Sequence, residues 1–307
     1  MPVINKYDTK RQKISDFLAR TTPGLYEKHF WPTFRKLQAV RSRGRIRRII
    51  EDRMAQKPFP LFTMIQIETL NRCNNDCSFC PVNRKRDSRP RSVMDADLFN
   101  SLIAQLADLQ YDGIINLFSN NEPLLDRRIA DFCAIARQKL PNANHVLYTN
   151  GKLLTTELFE NLMKYLDVLV IDNYDNQMKL QEPVKAIAEL CLTNPTYGEN
   201  VEIHMRRKDE VLSTRGGGAP NRTNIRPLKS SCVIPFTQMV VRPDGKLSLC
   251  DNDALGKVTL GDLTQDSVFD AWNSDLYWGA RRKIAEGRKN FFSCRRCDAQ
   301  LRVMPQL

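Results

Sequence analysis

Residues 73–80 read CNNDCSFC and place Cys73, Cys77 and Cys80 in a C-x3-C-x2-C pattern. Three thiolates on one short loop can ligate three irons of a [4Fe–4S] cube and leave the fourth iron open, where a small ligand can bind and be reduced. The alternative is a structural zinc site, which needs a fourth protein ligand. No histidine neighbours the loop, but the spacing alone leaves the zinc site and the cube with an open iron both open.

The cysteine loop follows an apolar, strand-like segment over residues 62–70. Strand-like and helix-like segments alternate from there to residue 230, with predicted strands at 63–70, 113–119, 145–149, 168–172 and 201–206. Such alternation is typical of α/β folds with parallel strands and crossover helices, and barrels of this kind place their chemistry at the carboxyl ends of the strands. The alternation alone does not separate a barrel from an open, doubly wound sheet.

Capping and turn signals add detail to this pattern. Helix starts are predicted at Ser92, in a Ser-x-x-Asp variant of the capping box, and near Thr155. Residues 215–231 are rich in Gly, Pro and polar side chains and are predicted to form a loop. Beyond it, residues 236–241 and 246–249 flank the turn sequence RPDG and predict a hairpin, and a helix is expected over 267–286.

A second set of cysteines surrounds this hairpin and helix. Cys232 precedes the hairpin, Cys250 ends it, and Cys294 and Cys297 form a C-x2-C pair after the helix. On spacing alone, four such sulfurs suit tetrahedral zinc or a fully ligated [4Fe–4S] cube equally well.

Together the two cysteine sets resemble the radical S-adenosylmethionine (SAM) enzymes that carry a C-terminal auxiliary-cluster domain, in its short "twitch" form of the SPASM type. The resemblance covers about residues 60–300 and includes Phe79, just before the last cysteine of the loop. It implies a partial (β/α)6 TIM-like barrel over 61–230 and a small hairpin-plus-helix auxiliary-cluster domain over 231–307. A basic, helical N-terminal extension over 1–60 completes the predicted organisation.

The cofactors implied by the resemblance are SAM, a [4Fe–4S] cluster with an open iron on Cys73, Cys77 and Cys80, and an auxiliary [4Fe–4S] cluster on the other four cysteines. In this family SAM chelates the open iron, and the reduced cluster cleaves it to methionine and a 5′-deoxyadenosyl radical. That radical removes a hydrogen atom from an unactivated C–H bond of the substrate.

The family places a Gly-Gly-Glu-type motif after the second strand, against the amino group of SAM. Residues 119–123, SNNEP, occupy this position without the glycines, which leaves Asn121 and Glu122 as implied SAM contacts. Four further contacts with SAM or substrate are implied at Phe79, Asn150, Asp172 and Arg206. A loop salt bridge is the alternative role for the aspartate and the arginine, and the sequence leaves both roles open.

The composition is that of a soluble globular protein of one large or two modest domains. The chain has 307 residues, no run of about 18 apolar residues that would span a bilayer, and no secretory segment at its N-terminus. A cytoplasmic location follows as the prediction, and nine cysteines there favour metal ligation over disulfides. Cys133 and Cys191, the two outside the cluster sets, lie in helical patterns and are predicted to be buried core residues.

The net charge of +12 is concentrated in two runs. Residues 41–53 hold six arginines within the N-terminal extension, where an amphipathic helix would pack on the main domain or contact a membrane surface. Residues 84–91, RKRDSRPR, hold four arginines and a lysine directly after the cluster loop. This second run either solvates the loop or attracts an anionic substrate, and the sequence leaves both open.

The function implied by the resemblance is a radical SAM oxidoreductase or epimerase. We expect oxidation or epimerisation of a carbohydrate-like or aminocyclitol-like small molecule, with electron transfer through the auxiliary cluster. The partners expected are this substrate and a flavodoxin- or ferredoxin-type reductant, with no obligate nucleic acid. Two alternatives are radical modification of a ribosomally made peptide and a redox-sensing, nucleic-acid-binding iron–sulfur protein that does not cleave SAM.

Overall fold

The structure is a computed structural model that describes residues 3–6, 18, 21–222 and 227–299. The described residues form one eight-stranded sheet, in the spatial order β1-β6-β5-β4-β3-β2-β7-β8. All neighbouring strands run parallel except the last pair, β7 and β8. The strands are β1 (Val3–Lys6), β2 (Met64–Ile67), β3 (Ile114–Asn116), β4 (Asn144–Thr149), β5 (Val168–Tyr174), β6 (Val201–Arg206), β7 (Gln238–Val241) and β8 (Leu247–Ser248).

Helices connect the strands and flank the sheet. A helical turn at Pro23–Leu25 and a π-helical segment at Tyr26–Phe30 lead into the first long helix. The helices are α1 (Trp31–Met54), α2 (Ala96–Asp108), α3 (Ile129–Lys139), α4 (Thr156–Met163), α5 (Glu182–Thr193), α6 (Pro195–Asn200), α7 (Ile234–Thr237), α8 (Val268–Asn273) and α9 (Asp275–Glu286).

The order of the central strands decides between the two architectures that the sequence left open. Strands β2 to β6 lie side by side in chain order, each joined to the next by at least one helix. A doubly wound sheet reverses its strand order at a switch point, and no reversal occurs within this run. The fold is therefore singly wound, as in a barrel, and the predicted α/β class with parallel strands is confirmed.

Strands from outside this run extend both edges of the sheet. Strand β1 pairs with β6, which adds a short strand to the extension that was predicted to be helical. Strand β7 pairs with β2 at the other edge, so the C-terminal hairpin continues the same sheet. Val3 and Ile4 are β-branched, and a four-residue parallel strand satisfies backbone groups that β6 would otherwise leave unpaired.

Helix boundaries follow from capping residues. Asp95, and not the predicted Ser92, caps α2, because its carboxylate accepts the Asp97 amide at 2.8 Å. Thr155 caps α4 as predicted, with its hydroxyl 3.1 Å from the Leu158 amide. The helix expected over 267–286 is divided in two, because Ser274 takes an extended conformation and caps α9. Each cap satisfies backbone N–H groups that have no partner inside the helix.

Among the described side chains of the N-terminal helix α1, those buried against the domain lie in its C-terminal half. Ile46 and Ile50 are buried, whereas Phe30 and Leu37 are more than half exposed. The spacing of Phe30, Trp31, Phe34 and Leu37 predicts one apolar helix face packed on the main domain. That prediction is wrong for Phe30 and Leu37, and the side chains of Trp31 and Phe34 lie outside the described residues. Within the described part of the chain, no helix is both long and apolar enough to cross a membrane.

Candidate functional site

The cluster loop is held in shape by its own polar groups. The Cys80 amide donates to the Cys77 carbonyl at 3.2 Å, and the Asn83 side-chain amide donates to the carbonyls of both cysteines, at 2.9 and 3.1 Å. The Asn75 amide lies 3.4 Å from the sulfur of Cys73. These bonds fix the three sulfurs on one short turn directly after β2, as the sequence predicted.

The three cysteines line a cavity at the carboxyl ends of the strands. Its wall contains five of the six residues implied to contact SAM or substrate, namely Phe79, Asn121, Glu122, Asn150 and Asp172. They come from the cluster loop and from the ends of β3, β4 and β5. Parallel strands in sequential order bring their carboxyl ends to one edge, which is why residues so distant in sequence meet here.

Glu122 is buried in this cavity and is held by its neighbours. Its carboxylate accepts the Thr149 hydroxyl at 2.6 Å and the backbone amides of Asn150 at 2.8 Å and Leu124 at 3.1 Å. Burial raises the pKa of Glu122 to about 7, against the hydrogen bonds, which lower it. The side chain therefore exchanges its proton near neutral pH while its position stays fixed.

Arg206 lies beside the cavity and is already paired. Its guanidinium donates to Glu210 at 2.8 Å and to Asp172 at 3.5 Å, and it sits 6.0 Å from the ring centre of Phe79 and 5.5 Å from that of Tyr174. Burial alone would raise the pKa of Asp172, but Arg206 and His204 outweigh it and hold that pKa below its usual range. The loop salt bridge considered for these residues is thus present, and Asp172 still reaches the cavity.

The basic run after the loop divides into two parts. The Arg89 side chain is only 10% exposed and donates to Asp87 at 3.0 Å, to Glu68 at 3.2 Å and to the Asn120 carbonyl at 3.0 Å. This half of the run is structural, because it ties the segment that carries Asn121 and Glu122 to strand β2. Arg84 and Lys85, in contrast, are exposed and pair only loosely with Asp76.

The second cysteine set lines a separate cavity. Cys232 precedes α7, Cys250 follows β8, and Cys294 and Cys297 lie on the turn after α9. Cys250, Cys294 and Cys297 line this cavity, and Cys232 is buried just before α7. The Ala299 amide lies 3.4 Å from the Cys297 sulfur, the same i+2 arrangement as at Cys73. Cys133 and Cys191 are both buried in helices, as predicted for core residues.

Arg215 joins the two cavities. Its side chain lines both of them and donates to the Asn120 side-chain oxygen. Asn120 in turn donates to the Asp251 carbonyl, next to Cys250, at 3.0 Å. A molecule bound against Arg215 would therefore lie between the two cysteine sets.

Several groups are arranged for a bound cofactor. Around the first cavity the side-chain nitrogens of Asn75 and Asn121 and the Arg215 Nε are buried without a partner among the described residues. Burial raises the pKa of Cys73, Cys77 and Cys294, so ligation of a metal would displace protons from these thiols.

The cysteine ligands also indicate which kind of metal group each set can hold. Across the described ranges, no three His, Cys, Asp or Glu side chains converge as a single metal ion requires. A mononuclear zinc site needs its sulfurs at about 2.3 Å from one point. The donor chemistry of both sets, cysteine thiols alone, suits a [4Fe–4S] cube.

Sequence reasoning missed four residues of the first cavity and its surroundings. Phe118 and Tyr148 stack at 5.6 Å on the cavity wall, Tyr174 packs against Phe79 at 5.9 Å, and Arg215 completes the boundary. The first three follow or end predicted strands, so their position at a carboxyl end was the available signal. Arg215 lies in a segment that carried only a loop prediction.

Anaerobic reconstitution should load about eight irons per chain, from two four-iron cubes. Replacement of Cys73, Cys77 and Cys80 together by Ala should leave about four, because the other four cysteines form an independent set. Iron and zinc analysis of both proteins measures this. One zinc with four irons in the wild-type protein would contradict the assignment of the second set and leave that of the first intact.

Comparison with known proteins agrees with this geometry. The sequence model of the radical SAM superfamily matches residues 67–172, and that of an iron–sulfur cluster-binding domain, SPASM, matches residues 232–298. A protein of Niallia circulans, named S-adenosyl-L-methionine-dependent 2-deoxy-scyllo-inosamine dehydrogenase, is 27% identical over 245 residues. That alignment covers 78% of this chain and 93% of the relative.

Solved structures show the same architecture. The crystal structure of BtrN in complex with AdoMet and 2-DOIA superposes with a TM-score of 0.67 at 26% identity, over 78% of this chain and 94% of that one. The structure of anSMEcpe with bound AdoMet gives a TM-score of 0.52 at 13% identity, over 81% and 90% of the two chains. The second likeness is one of fold alone.

Proposed function

This chain belongs to the radical SAM superfamily and carries an SPASM-type cluster domain, and we propose that it oxidises a secondary alcohol of an aminocyclitol to a ketone. One observation carries the proposal: the two cysteine sets open into cavities that share Arg215. A substrate bound there lies within reach of hydrogen abstraction on one side and of an electron acceptor on the other. The aminocyclitol dehydrogenase relative supports the substrate class.

The reaction balances as a two-electron oxidation. When bound, SAM and the open-iron cluster supply a 5′-deoxyadenosyl radical that takes one hydrogen atom, and the auxiliary cluster supplies a one-electron acceptor. The carbon that carries the hydroxyl loses its C–H hydrogen, and the hydroxyl then loses its proton. One electron leaves at the same time, so the C–O bond becomes a C=O bond.

The residues of the first cavity bind SAM and exclude water in this proposal. The Glu122 carboxylate, next to Asn121, would accept a hydrogen bond from the amino group of SAM. Phe79 would cover the adenine, and Asn150 and Asp172 would meet the ribose or the substrate. Arg206 acts mainly by holding Asp172 and Phe79 in place, because its own donors face Glu210 and Asp172. The aromatic wall of Phe118 and Tyr148 keeps water from the radical.

Glu122 should make SAM binding depend on pH. Its pKa is raised to about 7, so the carboxylate predominates above pH 7 and is lost as pH falls through that value. The affinity for SAM should therefore weaken severalfold between pH 8 and pH 6, as measured by anaerobic calorimetry. E122Q should bind SAM more weakly and without this pH dependence. A pH-independent affinity of the wild-type protein would show that the carboxylate does not contact SAM.

We propose a flavodoxin- or ferredoxin-type reductant for the open-iron cluster. Its support is the exposed basic side of the cluster loop, with Arg84, Lys85 and Arg86, which suits an acidic partner. The same charges would also attract an anionic substrate. Contact of the N-terminal extension with a membrane surface, supported by the exposed Phe30 and Leu37, and a cytoplasmic location stay predictions.

The test of the proposed function is turnover of a defined aminocyclitol. Reconstituted protein, SAM and a low-potential reductant are incubated with 2-deoxy-scyllo-inosamine, and the products are identified by mass spectrometry. We expect a product lighter by two hydrogens, with one 5′-deoxyadenosine formed per product. Recovery of an epimer with unchanged mass would replace oxidation by epimerisation, and absence of any product would exclude this substrate.

A further inference from the structure

Arg288 is a buried cation without a carboxylate partner among the described residues. Its relative exposure is 2%, and its Nε and Nη1 atoms are both buried without a hydrogen-bond acceptor in the described ranges. A buried charge costs several kcal/mol unless an opposite charge or a set of hydrogen bonds offsets it. Some negative group must therefore face this guanidinium in the working protein.

Arg288 begins the turn that carries two cysteines of the second set. Gly287, with φ of 138°, ends helix α9, and a side chain there would lie 2.8 Å from the Lys229 carbonyl. The chain then turns through Arg288–Asn290 and Phe292–Cys294 and delivers Cys294 and Cys297. Burial alone would lower the pKa of Arg288, and the negative charge that the four cysteines carry as thiolates outweighs it and raises that pKa.

Two other buried arginines in this half of the chain have evident partners. Arg281 is enclosed by three aromatic rings, with its guanidinium 3.8 Å from the ring centre of Phe59, and donates to two backbone carbonyls. Arg222 pairs with Asp298 at 3.2 Å, which also neutralises the carboxylate next to Cys297. The guanidinium groups of Arg281 and Arg222 are therefore already paired, whereas that of Arg288 is available to the four cysteines.

We infer that Arg288 sets the reduction potential of the auxiliary cluster by placing a permanent positive charge beside it. A [4Fe–4S] cube on four thiolates carries two net negative charges when oxidised and three when reduced. A nearby buried cation stabilises the state with the larger negative charge, so it raises the potential and makes the cluster a better electron acceptor. The effect of this raised potential on turnover rests on the proposed function. The potential itself is measured without substrate.

The test uses full-length protein in which Cys73, Cys77 and Cys80 are Ala, so that only the auxiliary cluster is present. A redox titration followed by electron paramagnetic resonance gives the potential of this parent and of R288Q, R288M, R288K and R295Q. Arg295 is the matched control, because it lies next to Cys294 but is exposed. Solvent screens its charge, and R295Q should therefore leave the potential unchanged.

We expect R288Q and R288M to disfavour one-electron reduction about tenfold, a shift of about 59 mV to more negative potential. R288K should retain the positive charge, and its potential should therefore stay close to that of the parent. If neither neutral variant takes up four irons and R288K does, the requirement for the charge is shown by iron content instead. An unchanged potential in a neutral variant that loads four irons would overturn the inference. So would an equal shift in R295Q, or a loss of iron in R288K as complete as in the neutral variants.

Discussion

Replacement of Cys77 by Ala should reduce SAM cleavage to background. Cys77 is 3% exposed and lies at the centre of the loop, where its carbonyl accepts hydrogen bonds from Asn83 and Cys80. A cube that loses one of its three ligands can no longer hold its open iron in the cavity. The measurement is 5′-deoxyadenosine formed per chain under anaerobic conditions with a strong reductant.

Cys133→Ala is the matched control for this experiment. Cys133 is also buried, at 2% exposure, but it packs inside α3 and has no role in the cavity. This variant should keep all its iron and full cleavage activity, apart from a modest loss of stability. SAM cleavage by C77A at the wild-type rate would refute the role given to the loop.

Loss of the auxiliary cluster should separate hydrogen abstraction from product formation. In C294A or C297A, substrate-dependent 5′-deoxyadenosine should still form, whereas the ketone should fall to background. The physical reason is that the substrate radical no longer has an acceptor for its electron, although the first cavity is intact. Both products are quantified from the same reaction, with Cys191→Ala as a buried-cysteine control outside both sets.

Two other results of this experiment would contradict the expectation, and each would have a different cause. A variant that makes ketone at the normal rate would show that the auxiliary cluster is not the electron acceptor, and a redox-neutral reaction would then fit better. A variant that makes neither product would indicate collapse of the C-terminal part of the chain. That part contributes β7 to the sheet. It also packs on the rest of the chain through Trp272, which contacts Phe59 and Phe62.

The parts of the fold that follow local chemistry were predictable from the sequence. The run from β2 to β6, the start of α4 at Thr155 and both cysteine sets depend on periodicity, capping and spacing, which are visible in one sequence. The N-cap of helix α2 is Asp95, three residues after the predicted Ser92, because Asp95 is equally able to cap and has the extended backbone that a cap requires.

The parts that depend on long-range pairing were not predictable. Nothing in Val3–Lys6 shows that it pairs with β6 nearly two hundred residues later. Arg215 and Arg288 lie in a loop and after a helix, where arginines are common and exposed. The fold alone places Arg215 on the wall of both cavities and buries Arg288 after α9, and a sequence pattern carries no record of what a side chain faces after folding.

The central claim is that the radical formed in the first cavity takes a hydrogen atom from the carbon that becomes the ketone. The direct measurement uses an aminocyclitol deuterated at each carbon that carries a hydroxyl, with SAM and reductant, and mass spectrometry of both products. We expect one deuterium in 5′-deoxyadenosine for each ketone formed, and none in the methionine. Ketone without deuterium in 5′-deoxyadenosine, or labelled 5′-deoxyadenosine with no oxidised product, would contradict it.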